Sequence, residues 1–194
     1  YQAAAITADR VPPGMPPVLA VDEERVSLLV PPDDASTLTH PVPLPSVTGR
    51  MAYIAQNGDL VLWDQGEVSR LSVDALPDAR ILVDERQRLL LLAGPTDSYD
   101  HGVLGDAIEA SRIVLVETEP DLRLANEIIM QNADVIEGIA PIWVDMDGNG
   151  AREIIVTVSN RVEGAGLVVY QEDGSVLTAG LPIGQGYRWR NQLA

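Results

Sequence analysis

Four oxygen-bearing side chains alternate along one short stretch of this 194-residue chain. In Asp145-Met146-Asp147-Gly148-Asn149-Gly150-Ala151-Arg152-Glu153, the side chains of Asp145, Asp147, Asn149 and Glu153 fall at positions one, three, five and nine. The backbone carbonyl of Ala151 falls at position seven. Calcium is a hard cation that takes six to eight oxygens at ~2.3–2.6 Å in flexible geometry. Alternate residues of a tightly curled loop point inward and can supply them. Gly148 and Gly150 stand between the ligands, where the chain must curl through conformations that a Cβ makes costly. Two unit charges 4 Å apart repel by ~4 kcal/mol at an effective dielectric of 20, and a bound dication removes that penalty. The competing use of Asp and Asn in such a stretch is to cap a tight turn.

The flanks decide which kind of calcium loop is expected. An EF-hand needs a bidentate Glu at position twelve and a helix on each side. Position twelve is Val156, and the flanks Pro141-Ile142-Trp143-Val144 and Ile154-Ile155-Val156-Thr157-Val158 are β-like. The stretch Asp145 to Val156 resembles the FG-GAP or VCBS type of repeat found in integrin-like β-propellers, whose motif runs Asp-x-Asp-Gly-Asn-Gly-x-x-Glu and continues Ile-Ile-Val. The resemblance covers about one blade, Ile139 to Gly180. It implies a calcium site in the hairpin turn between neighbouring blade strands, and a closed ring of several blades.

A second stretch, Asp97 to Glu109, gathers Asp100, His101, Asp106 and Glu109 with Gly102 and Gly105. It is a candidate loop site, set against a solvated insertion whose His101 makes a local hydrogen bond, because no known metal-ligand spacing recurs in it. His40 stands alone in a proline-flanked loop. No Gly-x-Ser-x-Gly elbow suggests nucleophilic catalysis. Trp63, Trp143 and Trp189 sit at strand ends or centres and are expected to pack between blades.

The elements that must hold the loop are strands. From Val18 onward, short runs rich in Val, Ile and Leu alternate with turn residues every eight to twelve positions, which is the pattern of an all-β protein. Expected strands are Val18 to Val21, Arg25 to Val30, Met51 to Gln56, Leu60 to Trp63, Val68 to Leu71, Ile81 to Asp84, Leu89 to Ala93, Arg112 to Glu117, Ile139 to Val144, Glu153 to Val158, Leu167 to Gln171 and Ser175 to Ala179. Leu122 to Met130 reads as a helical turn or a strand. Asn57-Gly58 and Asp173-Gly174 are expected to make type I′ hairpin turns, with positive φ at both residues.

Grouping the hairpins gives recurring antiparallel units of three or four strands at roughly Val47 to Asp74, Asp78 to Met130 with an insertion, and Ile139 to Gly180. A propeller blade is typically ~40–45 residues of four strands, so the fold expected is a partial β-propeller of about three blades over residues 18–194. Residues 1–17, with Pro12, Pro13, Pro16 and Pro17, read as a Pro-rich leader or strap.

Composition narrows the partners. The net charge of −16 and the absence of any basic run weigh against nucleic acid, which needs a basic face. All thirteen basic residues are Arg, and there is no Cys, so disulfides, thiolate metal sites and thiol nucleophiles are excluded. No stretch approaches the ~20 apolar residues of a membrane-spanning helix. The expectation is therefore a secreted or cell-surface module that binds Ca²⁺ and acts as a binding or structural scaffold for a protein or glycan ligand. Its ring is expected to be completed by blades of another chain or copy. The rival is a propeller enzyme, a lyase, hydrolase or dehydrogenase, with its active site at the central channel.

Overall fold

Alternation of apolar and turn residues produces antiparallel hairpins throughout, with no helix among the described residues. The structure is a computed structural model and describes residues 18–21, 26–29, 34–36, 38, 41–44, 50–64, 66–100, 105–131, 134–138 and 140–181. The expected leader, His40, His101 and Trp189 lie outside the described residues.

A hairpin of β1 (Val18–Val21) and β2 (Val26–Leu29) comes first. Three four-stranded antiparallel meanders follow. The first is β3 (Val42–Pro43), β4 (Arg50–Ile54), β5 (Asp59–Asp64) and β6 (Glu67–Ser72). The second runs β7 (Leu82–Val83), β8 (Leu89–Pro95), β11 (Ala110–Glu117) and β12 (Arg123–Ile129). Its insertion folds into the small ribbon β9 (Tyr99–Asp100) and β10 (Asp106–Ala107). The third is β14 (Ile142–Val144), β15 (Glu153–Asn160), β16 (Gly164–Gln171) and β17 (Val176–Ala179). Leu122 to Met130 thus resolves as strand, because β11 offers it a partner along its length.

The segment entering each meander touches that meander's second strand in the same way. Ala35 bridges Ala55 at the end of β4, Ala75 bridges Ala93 of β8, and Ile136 of β13 (Val135–Ile136) pairs with Val158 of β15. Two of these segments also reach back to the preceding meander: the Ala75 N–H donates to the Gly58 carbonyl (2.8 Å), and Ile136 pairs with Ala110. Ala35 and Ala75 are about 40 residues apart, one four-stranded repeat. The repeat is one of hydrogen bonding, with little trace in the residues. Through β13 the second and third meanders join in a single nine-stranded sheet, where the sequence suggested separate units.

Side chains on a strand alternate between faces. Leu89, Leu90, Leu91 and Leu92 are nevertheless all buried, so β8 is covered on both sides. The main core joins these leucines to Ala52 and Ile54 of the first meander and to Trp143, Ile154 and Val156 of the third. The opposite face of β4 carries Tyr53 and Ala55 into a smaller cluster with Ala35 and Val61.

The two expected type I′ turns take another form. Only Gly58 (φ 84°) and Gly174 (φ 88°) are left-handed; Asn57 and Asp173 are not. Gly58 N–H donates to the Ala55 carbonyl and Ala55 N–H to that of Asp59, with the same pair of bonds repeated at Gln171, Gly174 and Ser175. This is the three-residue loop in which a type I turn is followed by a left-handed glycine. The cause is local: the Asn57 and Asp173 side-chain oxygens accept from the N–H two residues on, which holds those residues in a right-handed turn.

Tyr53 supplies a prediction. Its phenol is buried and donates to Asp34 Oδ1 (3.1 Å), while Arg70 pairs with the same carboxylate. Burial, reinforced by the charge of Asp34 and this hydrogen bond, pushes Tyr53 from 10.0 up to about 12. The folded state therefore holds its proton longer than the unfolded chain does. The associated stability is complete below pH 10 and is lost as pH rises from 10 through about 12. Urea midpoints across that window are expected to fall more steeply in wild type than in Tyr53→Phe; parallel slopes would refute the assignment.

Candidate calcium-binding loop

The loop from Asp145 to Arg152 joins β14 to β15 as a hairpin, closed by the pair Val144 and Glu153. Strands on both sides confirm that it is not an EF-hand, whose loop is flanked by helices. Strand pairing of Ile142, Trp143 and Val144 with Ile155, Ile154 and Glu153 fixes where the loop begins and ends.

Within the loop the oxygen-bearing side chains organise the backbone. Asp145 Oδ1 accepts from the N–H groups of Gly148 (2.7 Å) and Asn149 (3.2 Å), and its Oδ2 accepts from Gly150 (2.9 Å). Asp147 Oδ1 accepts from Asn149 N–H (3.0 Å), and the Asn149 side-chain amide donates to Asp147 Oδ2 (3.0 Å). Asn149 Oδ1 accepts from Ala151 N–H (2.7 Å). Glu153 closes the set from the strand side, its Oε2 accepting from Met146 N–H (2.8 Å). Gly148 (φ 76°) and Gly150 (φ 89°) are both left-handed, and a Cβ built on either meets nothing within 4 Å. Conformation, and not crowding, is what demands glycine here.

Charge is the unresolved part of this local order. Among the described residues no Arg forms an ion pair with Asp145, Asp147 or Glu153. Arg152, inside the loop, turns away: its guanidinium donates to the Trp143 carbonyl (2.9 Å) and pairs with Glu85. The hydrogen bond from Arg152 holds the Glu85 carboxyl below its ordinary range. Among the described residues no three His, Asp or Glu side chains are gathered as a ready metal cluster. Each carboxylate of the loop instead accepts from backbone amides. The donor set still suits calcium: three carboxylates, a side-chain amide oxygen and a backbone carbonyl are all hard oxygens, on a loop exposed enough for Met146 to be 58% accessible.

The equivalent turn of the second meander is a useful contrast. It also opens with Val-Asp, at Val83-Asp84, and Asp84 Oδ1 accepts from the N–H groups of Arg86 (3.0 Å) and Arg88 (2.8 Å). There the cation is built in, because Arg88 Nε sits 2.8 Å from Asp84 Oδ2. The loop of the third meander has more negative charge and no such arginine among the described residues.

The second candidate site is only partly brought together. Asp100 and Asp106 face each other directly across β9 and β10, and Glu109 pairs by its backbone with Thr96. His101 lies outside the described residues. Tyr99 of the same ribbon is buried, with the Arg161 guanidinium 5.1 Å from its ring centroid.

Residue patterns alone do not reveal the group around Trp143. This buried indole donates to Glu172 Oε1 (3.0 Å), and the guanidinium carbons of Arg88 and Arg152 lie 5.2 and 5.6 Å from its ring centroid. Arg88 binds both oxygens of Glu172 (2.7 and 2.9 Å). Burial lowers the Arg88 guanidinium, but Glu172 and Asp84 outweigh that and shift it upward overall. The one available signal was the parallel between Val83-Asp84 ahead of Arg88 and Val144-Asp145 ahead of Arg152.

No protein-family model, curated protein or solved structure matches this chain.

Proposed function

We propose that the chain is a calcium-binding module of β-propeller type that works outside the cell as a binding or structural scaffold. The observation that carries this reading is the β14 to β15 hairpin loop. It carries Asp145, Asp147, Asn149, Ala151 and Glu153 in one turn, bends at two left-handed glycines, and holds three carboxylates that no described arginine neutralises. In this reading the three meanders are successive blades. The recurrent contact of each entering segment with the second strand of its meander supports that, since stacked repeats bury a continuous core. In this reading the exposed faces serve a protein or glycan ligand.

A bound Ca²⁺ supplies positive charge to the loop. The residues of the chain orient the oxygens: Asp145 is steered by three backbone amides, and Glu153 by the Met146 amide at the strand end. A loop site of this kind is expected to bind in the ~10⁻⁴–10⁻³ M range of extracellular modules, which suits an environment rich in calcium. Calorimetric titration of the chain with calcium tests it. Saturable binding of one ion per chain is the expected result, with magnesium weaker because it demands a rigid octahedron. No heat and no displacement of terbium at millimolar calcium would overturn the reading.

A further inference from the structure

Both limbs of the loop lead into one set of side chains that belongs mostly to other turns. On the entering side, Trp143 stands two residues before Asp145, its indole held by Glu172 and by the Arg88 guanidinium. On the leaving side, Arg152 lies between Ala151 and Glu153 and reaches back to the Trp143 carbonyl, the Trp143 ring and Glu85. Glu172 belongs to the turn between β16 and β17, and its own carbonyl accepts from Asn126 of β12 (2.6 Å). Asp84, Glu85 and Arg88 form the turn between β7 and β8. The network therefore ties the two ends of the loop to each other and to the second meander.

We propose that cation binding at the Asp145 to Glu153 loop is coupled to this network, with Trp143 and Arg152 acting as positioning residues for the site and the ion in return tightening the contact between the second and third meanders. This rests on the calcium reading of the loop. The physical reason is that Ala151 and Glu153 flank Arg152. Drawing their oxygens inward immobilises the backbone from which Arg152 reaches Trp143 and Glu85. Conversely, an unanchored Trp143 loosens the strand end from which Asp145 projects. Coupling between sites is reciprocal: what the network adds to ion affinity, the ion adds to the network. Groups that orient metal ligands from behind typically account for 10–100-fold in affinity.

The test is calcium titration of the whole chain as wild type, Trp143→Phe and Arg152→Lys, with Arg112→Lys as a control. Arg112 is a half-buried arginine that ties β11 to Val73 and Glu127, away from the loop. Trp143→Phe keeps an aromatic ring and removes the indole N–H; Arg152→Lys keeps the charge and removes the planar fork. Both are expected to weaken calcium binding about tenfold while melting cooperatively, and Arg112→Lys to leave affinity unchanged. In wild type, calcium is also expected to slow hydrogen exchange at the Arg86 and Arg88 amides of the distant turn, and Arg152→Lys to abolish that transfer. Wild-type binding with both variants within twofold, or with no exchange change at Arg86 and Arg88, overturns the coupling and leaves the calcium reading standing. If the wild type itself binds no calcium, both fail. Should Trp143→Phe not fold, the affinity and exchange data for Arg152→Lys decide the matter.

Discussion

Saturating calcium is expected to raise the melting temperature of this chain substantially, and Asp145→Ala to erase the rise. An ion that binds only the folded state stabilises it by RT ln(1 + [L]/Kd), about 2.7 kcal/mol at a hundredfold excess over Kd. For a chain of this size each kcal/mol moves the midpoint by roughly 2–4 °C, so the shift should be about 5–10 °C. Asp145 is the sharpest residue to remove, since both its oxygens are already turned into the loop by the Gly148, Asn149 and Gly150 amides. Its loss takes away a charged ligand and the bonds that curl the loop. Those amides are exposed and can turn to water, so the calcium-free variant should lose only about 1 kcal/mol. Melting curves of wild type and variant, each with EDTA and with calcium, separate the two contributions. An equal calcium shift in both proteins would mean that the ion acts elsewhere.

Arg88→Met should be the most damaging single change outside the apolar core. The Asp84 side chain is fully buried, and Arg88 is the cation on it. Removing one member of a buried pair leaves a charge without compensation and typically costs about 3–5 kcal/mol. The same substitution strips both guanidinium bonds from Glu172 and one cation from the Trp143 ring. Methionine keeps most of the volume, so the loss reports on charge and hydrogen bonding more than on a cavity. Urea denaturation should show the full deficit in Arg88→Met and a partial recovery in the double variant Asp84→Asn with Arg88→Met, because the stranded carboxylate is then gone. A deficit below about 1 kcal/mol would put the pair in the class of surface ion pairs and refute its structural weight.

Much of the strand pattern is legible because it is written at short range. Leu89 to Leu92, Glu153 to Val158 and Met51 to Ile54 are apolar runs bounded by turn residues, and each is a strand. The two-residue strands β3, β7, β9, β10 and β13 are too short to show alternation, and of these only β7 falls within an expected strand, Ile81 to Asp84. Leu122 to Met130 fits a helical turn or a strand by composition, and its neighbour β11 makes it a strand. The turn at Asn57 follows a related logic: the dipeptide suits two left-handed residues, but the bond that the Asp59 N–H donates to Asn57 Oδ1 selects one.

The loop of the third meander can be read from its own residues. Its alternating oxygens and two glycines fall within nine residues between β-like flanks, and backbone geometry leaves such a segment few ways to bend. What stands behind it depends on long-range packing. Arg88 and Glu172 are 84 positions apart, and Arg152 and Glu85 are 67. Nothing local in the chain links them. They meet because antiparallel pairing and the shared core bring the turns of two meanders to the same end of the sheet, where the largely buried guanidiniums of Arg88 and Arg152 each find a carboxylate.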